Sequence, residues 1–123
     1  QEDARQLAHT IFSLPQRPTA IFAAIDTLAF GVLAAAQDIG LRVPDDVGVI
    51  GFDDIQAASY MRLTTINQQL LTSGRMGAQL MLDWLKDGIY PEERHRIQLP
   101  LEVVQRATTK AYYSDTSLFP SSD

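Results

Sequence analysis

Cysteine is absent from the 123 residues. A chain without thiols forms no disulfide and offers no thiolate metal site. Such a composition suits a reducing compartment, and a cytoplasmic location is expected. Histidine is scarce as well. His9 sits in a helical stretch and His95 in a charged loop, and neither belongs to a partner motif. There is no glycine-rich phosphate loop and no metal-ligand spacing. The sequence therefore predicts no catalytic residues, no metal and no cofactor. Long apolar runs are missing too, and the longest fall far short of the roughly 20 residues of a membrane span. The first residues lack the basic, apolar, small-residue order of a secretory leader. No internal repeat occurs.

Positive charge is in deficit, with 10 Lys and Arg against 15 Asp and Glu and a net charge of −5. Domains that grip a phosphate backbone usually carry the opposite sign. The one basic cluster, Arg94-His95-Arg96, directly follows Glu92-Glu93 and reads as a self-neutralised, solvated loop. Taken alone, this chain is not expected to hold DNA.

What is present reads as one α/β domain. Residues 2–14 place Ala4, Leu7, Ala8, Ile11 and Phe12 on one helical stripe, with Glu2 and Asp3 in the first turn and Pro15 and Pro18 as stops. The chain thus opens at a helix start, as a piece of something longer would. "AIFAAI" (20–25) is continuously apolar, the signature of a strand covered on both faces. Asp26 is placed to cap the next helix, 27–39, which offers Leu28, Val32, Leu33, Ala36 and Ile39 for burial and stops at Gly40. After the turn "LRVPDD" comes a second buried strand, "VGVIGF". Strand, helix and strand of these lengths make a βαβ unit with parallel strands. Further on, "ASYM" suggests a short helix and "LTTI" a short extended piece. A long helix covers 72–86, with Gly74 and Gly77 permitting close packing and Gly88 ending it. "HRIQLPLEVVQRAT" reads as one or two strands broken at Pro100. The polar tail "TTKAYYSDTSLFPSSD" is expected to be flexible.

The second strand runs straight into two acids, "VGVIGFDD". Ligands of parallel sheets bind beyond the carboxyl ends of the strands. Both strands end in acid, one at Ile25-Asp26 and the other at Asp53-Asp54, so both acidic corners belong on one edge. Asp53 comes first off the strand and is the better ligand candidate. Asp54 is equally suited to capping a short helix from Ile55.

"RPTAIFAAIDTLAFGVLAAAQDIGLRVPDDVGVIGFDDI", then "LTTINQ", then "GRMGAQLMLDWL", closely resembles the C-terminal part of lactose-repressor (LacI/GalR) family regulators. The resemblance runs from Gln1 to about Thr108. It implies a three-layer αβα lobe on a parallel sheet, of the type I periplasmic-binding-protein-like kind and here incomplete. Residues 1–108 would be part of an effector-binding domain and 109–123 a tail. It also implies a small-molecule effector (sugar, nucleoside or similar polar metabolite) held between two lobes that the chain crosses between three times. Operator DNA would be reached only through an N-terminal helix-turn-helix domain that these residues do not include.

Position by position, Asp53 matches the carboxylate that contacts the effector, and Gln68 matches a crossover polar residue near it. Ile25 and Asp26, at the first corner, are the remaining ligand-binding candidates, and Ile25 stands where sugar-responsive members often carry Asn. An isoleucine cannot hydrogen-bond a sugar hydroxyl, so a simple sugar is less suited. The same lobe supplies dimer contacts in the family, which makes Phe30, Leu33, Tyr60 and Met61 interface candidates, with ordinary core as the competing role. The long helix belongs against the other lobe, so Leu70, Leu71, Leu80, Met81, Trp84 and Leu85 would present an apolar patch and favour homo-oligomers. A fragment of a transport-type sugar-binding protein, which shares the fold, is the alternative.

Overall fold

In a computed structural model of the chain, residues 2–87 and 96–110 are described. The elements run α1 (Glu2–Phe12), β1 (Ala20–Phe22), α2 (Asp26–Asp38), β2 (Gly48–Ile50), α3 (Gln56–Tyr60), β3 (Thr65–Asn67), α4 (Leu70–Asp87) and β4 (Glu102–Val104). Strands β1 and β2 are parallel, with Ile21 opposite Val49, as the βαβ reading requires. Strands β3 and β4 are antiparallel, with Ile66 opposite Val103. A parallel bridge from Ile50 to Thr64 joins the two sheets. No helix among the described residues is long and apolar enough to cross a membrane.

Helix α2 packs against α1 and β2 through small side chains. Its buried residues are Asp26, Ala29, Gly31, Val32, Ala35 and Ala36. Leu28 and Ile39, expected inside, are 36% and 47% exposed. Close approach of α1 selects the face with the smallest residues, and the larger side chains are displaced to its edges. From α1 itself, Ala8 and Phe12 are buried while Leu7 is exposed. Helix α2 ends as its glycine foretells: Gly40 has φ 73°, and the Leu41 amide returns to the Ala36 carbonyl at 2.9 Å.

The core is formed by Ala8, Phe12, Ala23, Ala29, Val32, Ala35, Ala36, Val47, Val49, Ala58 and Leu63. Phe30 and Leu33 are half-buried against it, whereas Tyr60 and Met61 are exposed. Strand β1 departs from the expected two-sided cover. Ala20 and Phe22 are exposed, and Phe22 borders an apolar groove of about 350 Å³ with Leu7 and Leu28.

Between β2, β3 and the segment after β4, threonine hydroxyls act where strand pairing stops. Thr108 Oγ1 donates to the Val49 carbonyl (2.7 Å) and accepts from the Thr64 amide (2.9 Å). The Val49 amide in turn reaches the Thr108 carbonyl (2.8 Å). Thr109 and Lys110 bond Thr64 and Asp45, so the segment to Lys110 is held rather than part of a free tail. Residues 111–123, Gly88 and the Glu92-Glu93-Arg94-His95 cluster lie outside the described residues.

Helix α4 starts two residues earlier than its periodicity suggests. Leu70, Leu71, Met81 and Leu85 are exposed as expected, but Leu80 and Trp84 are half-buried. Residues 96–100 run alongside, and Ile97 and Leu99 share a groove with Met76 and Leu80. Gly74 and Gly77 have no neighbour within 4 Å of an added Cβ, so no close packing uses them among the described residues.

One ion-pair group clips α1 to α2. Arg5 donates to Asp38 from Nε (2.7 Å) and Nη2 (2.8 Å), and His9 Nε2 lies 2.9 Å from the same carboxylate. The Arg5 hydrogen bonds, then the His9 contact, hold the Asp38 carboxyl below the usual range. Its folded pKa is depressed, so the stabilisation is complete above the unfolded value of about 3.9. It is lost as pH falls through the folded value. Asp38→Asn should lower the melting temperature slightly at pH 7, and the gap to the parent chain should close on acidification below about pH 4. A gap that persists in acid would assign the stabilisation to something other than this carboxylate.

Candidate functional site

The ends of β1 and β2 meet at one acidic corner, and Asp26 is its anchor. Asp26 is 1% exposed. It does not cap α2: Ile25 is the N-cap residue and makes no side-chain cap bond. Its carboxylate instead accepts from the Ile55 amide at 2.9 Å and from the Thr65 hydroxyl at 2.5 Å. Its own amide donates to the Phe52 carbonyl at 2.8 Å. With both oxygens engaged internally and no exposed surface to speak of, Asp26 is a structural residue of the corner.

Gly51 makes this arrangement possible. A Cβ there would overlap the Asp26 carboxylate and approach Leu63 Cδ2 to 2.9 Å. The glycine between Ile50 and Phe52 is therefore a demand of the buried acid.

Past Gly51 the backbone enters the left-handed region twice in succession, at Asp53 (φ 113°) and Asp54 (φ 54°). Side chains rarely accept this, at a cost of roughly 1–3 kcal/mol each. The Asp53 amide bonds the Ile66 carbonyl (2.9 Å), and the Asp54 amide reaches the Thr65 hydroxyl (3.4 Å). Asp54 does not cap α3, whose N-cap Ile55 also lacks a side-chain bond. Asp54 Oδ1 pairs with Arg106 Nη2 at 2.7 Å, and Oδ2 accepts from Asn67 Nδ2 at 3.0 Å. Arg106 also donates from Nη1 to the Leu63 carbonyl at 2.8 Å. Both members of the ion pair are largely covered, so it resists solvent screening better than a surface pair.

Asp53 is arranged differently. It is half-buried, and its Oδ1 accepts a short hydrogen bond from Gln68 Nε2. Among the described residues no cation lies within ion-pairing distance of it. Asp53 borders a cleft of about 350 Å³ between this corner and the start of α4, together with Asp54, Ile55, Asn67, Gln69 and Leu70. Ile25 is 41% exposed on the same edge but does not line that cleft. Asp53 and Gln68 are thus brought together, Ile25 stands to the side, and Asp26 lies beneath. The arrangement offers a carboxylate acceptor beside an amide that can both donate and accept, which suits a polar ligand presenting hydroxyl or N–H groups. Among the described residues no cluster of three acids or histidines is placed to hold a metal.

Sequence reasoning overlooked Asn67, Thr65 and Arg106. Their partners are 11 to 52 positions away, beyond any local pattern. The tandem threonines beside an apolar strand were the one available hint.

An acidic corner at the strand ends, on a lobe of this topology, defines the class of α/β fold whose ligands bind at the carboxyl edge of parallel strands. The chain belongs to the periplasmic binding protein-like domain family, whose model matches residues 1–109. Its relatives include the HTH-type transcriptional repressor PurR of Vibrio atlanticus (strain LGP32), 35% identical over 105 residues, which are 84% of this chain and 31% of that protein. The PurR repressor of Photorhabdus laumondii is 43% identical over 84 residues, 67% of this chain and 25% of the relative. Among solved structures, a LacI family transcriptional regulator from Arthrobacter sp. FB24 in complex with lactose superposes with a TM-score of 0.80. It is 31% identical, over 89% of this chain and 42% of that one. A LacI family regulator from Enterococcus faecium with bound ribose gives a TM-score of 0.78 at 29% identity, covering 88% and 39%. The chain is a LacI/GalR-type effector domain in part, and spans about a third of the length of the repressors it matches.

If Asp26 anchors the corner, Asp26→Ala should strand the Ile55 amide and the Thr65 hydroxyl. Each buried donor left unsatisfied costs about 1–3 kcal/mol. Urea unfolding should show the loss as a lower midpoint at unchanged slope. A midpoint within error of the parent chain would remove Asp26 from that role.

Proposed function

We propose that this chain is the small-molecule-sensing part of a LacI-type transcriptional regulator, with Asp53 as its principal polar contact to the effector. The observation that carries the reading is the uncompensated Asp53 carboxylate at the carboxyl edge of the parallel strands, facing a cleft and paired with Gln68. The protein's work would be binding rather than catalysis. DNA contact would belong to residues outside this acidic chain, and the regulator would act in the cytoplasm. Sugar-bound relatives support a polar effector. Ile25 stands beside the cleft and offers no hydrogen bond to a sugar hydroxyl, while Asp26 would act only through the corner it anchors. Names of related repressors favour this reading over a transport protein of the same fold.

Self-association is part of the proposal. Exposed Tyr60 and Met61, and the half-buried Phe30 and Leu33, would contribute to one contact, and the apolar side of α4 to a second. Exposed apolar side chains grouped on one face favour burial against a partner.

An effector can be found by thermal shift of the protein against pentoses, disaccharides and nucleosides. Calorimetry on the best binder should then show Asp53→Asn weaker by about 1.5–3 kcal/mol, the scale of a hydrogen bond to a charged group. Its melting temperature should barely change, since the amide has the carboxylate's shape. Normal binding by this variant would sink the assignment, and loss of folding would make Asp53 structural. Light scattering on the same samples should show dimers or larger species, and a monomer at about 100 μM, where an 8 kcal/mol interface would be saturated, opposes the association.

A further inference from the structure

Two neighbouring dipeptides face each other at the corner, Asp53-Asp54 from the end of β2 and Asn67-Gln68 from the end of β3. The outer pair is Asp53 with Gln68, and the inner pair is Asp54 with Asn67. Each member of the outer pair is therefore one peptide unit from a member of the inner pair. The inner pair is the better fixed. Asp54 is held at both oxygens, by Arg106 and by Asn67. The Asn67 amide is used at both ends, donating to Asp54 and accepting from the Gln69 amide at 2.7 Å.

Gln69 adopts φ 56°, so Gln68 lies between a residue clamped by its side chain and one bent by its backbone. Arg106, in turn, is fixed by the Leu63 carbonyl and by its own amide on Thr64 Oγ1 at 2.9 Å. Two effects follow. The clamp sets the direction of two strained residues that would otherwise relax. The Arg106 charge is also spent on Asp54, which leaves Asp53 as the uncompensated acid of the corner.

We propose that Arg106 and Asn67 are positioning residues, which hold the Asp53 carboxylate, with its Gln68 partner, at the edge of the cleft by clamping Asp54. This rests on the reading of Asp53 as the effector contact, but the clamp can be tested without any effector. Arg106 does not line the cleft, and Asn67, which borders it, has both ends of its amide engaged within the corner. Three passes of the chain, after β2, at β3 and after β4, are tied in one ion-pair group, so a change in any one reaches the acid.

The test is NMR of the protein at neutral pH, reading the Gln68 side-chain amide protons and the Asp53 carboxylate carbon. In the parent chain the Gln68 amide held by Asp53 should give a resolved, exchange-protected signal. Arg106→Met should abolish that protection and shift the Asp53 carboxylate carbon. Arg106→Lys, which keeps the charge but not the fork, should restore part of both. Asn67→Ala should reproduce the loss without depriving the Asp54 carboxylate of its cation, and it carries the test if Arg106→Met does not fold. Asp38→Asn, remote from the corner, serves as the control for general destabilisation and should leave both signals in place. The proposal is overturned if both signals stay unchanged in Arg106→Met, or in Asn67→Ala where that variant carries the test. It is equally overturned if Asp38→Asn moves them as much. Failure to find an effector would count against the functional reading and leave these outcomes intact.

Discussion

The Asp26 carboxylate is buried between two strand ends and accepts hydrogen bonds from residues 29 and 39 positions further along the chain. A buried carboxylate is costly unless its oxygens are satisfied. Here the satisfaction comes from Ile55 and Thr65, which are thereby drawn to the end of β1. Their arrival sets the path of residues 51–55, demands a glycine at 51, and turns the chain through two left-handed residues. The acidic corner is in this sense built around one charge that no ligand sees. Asp53 inherits its position from that construction, and its ordering cost falls on folding.

The division of labour among the acids is physical. Asp26 is fully buried and spends both oxygens within the fold. Asp54 is covered and neutralised by Arg106. Asp53 is half-exposed and tied only to an uncharged amide. Asp53 and Asp54 both border the cleft, and of the two only Asp53 has no cation partner among the described residues. The uneven cover elsewhere has the same origin. Small residues of α2 accept α1 closely, while Leu7, Phe22, Leu28 and the outer side of α4 stay exposed. Those surfaces fit a chain spanning about a third of its relatives' length.

The parallel βαβ unit, the Gly40 stop and the shared acidic edge were legible because each depends on residues close in sequence. Apolar runs, a capping glycine and the right-handed crossover suffice for them. Asp26 and Asp54 were misread as helix caps for the complementary reason. An acid before a helix is usually satisfied by the next turn, and nothing local reveals that Thr65 or Arg106 competes for it. The buried face of α2 was read only in part: Val32 and Ala36 are buried as expected, whereas Leu28 and Ile39 are exposed. Leu28 and Ile39 outrank alanine in hydrophobicity, but the distance to α1 favours Ala29, Ala35 and Ala36. Size complementarity between helices is not written in either helix alone. Asp53 was legible as the first acid off the strand, Gln68 came from family resemblance, and their direct contact follows only from the folded corner.

Native-state hydrogen exchange at the Ile55 amide addresses the anchoring of this corner most directly. Ile55 lies in a connecting segment, and its N–H is bonded to a side chain rather than to a strand or helix. Loop amides ordinarily exchange through low-energy local openings. If the buried Asp26 carboxylate holds the corner as one unit with the sheet, the Ile55 amide should be protected to the same degree as the Val49 amide in the core. Exchange at the rate of an exposed loop amide, with Val49 still protected, would contradict the account: the corner would open independently, and Asp53 would not be held in place before a ligand arrives.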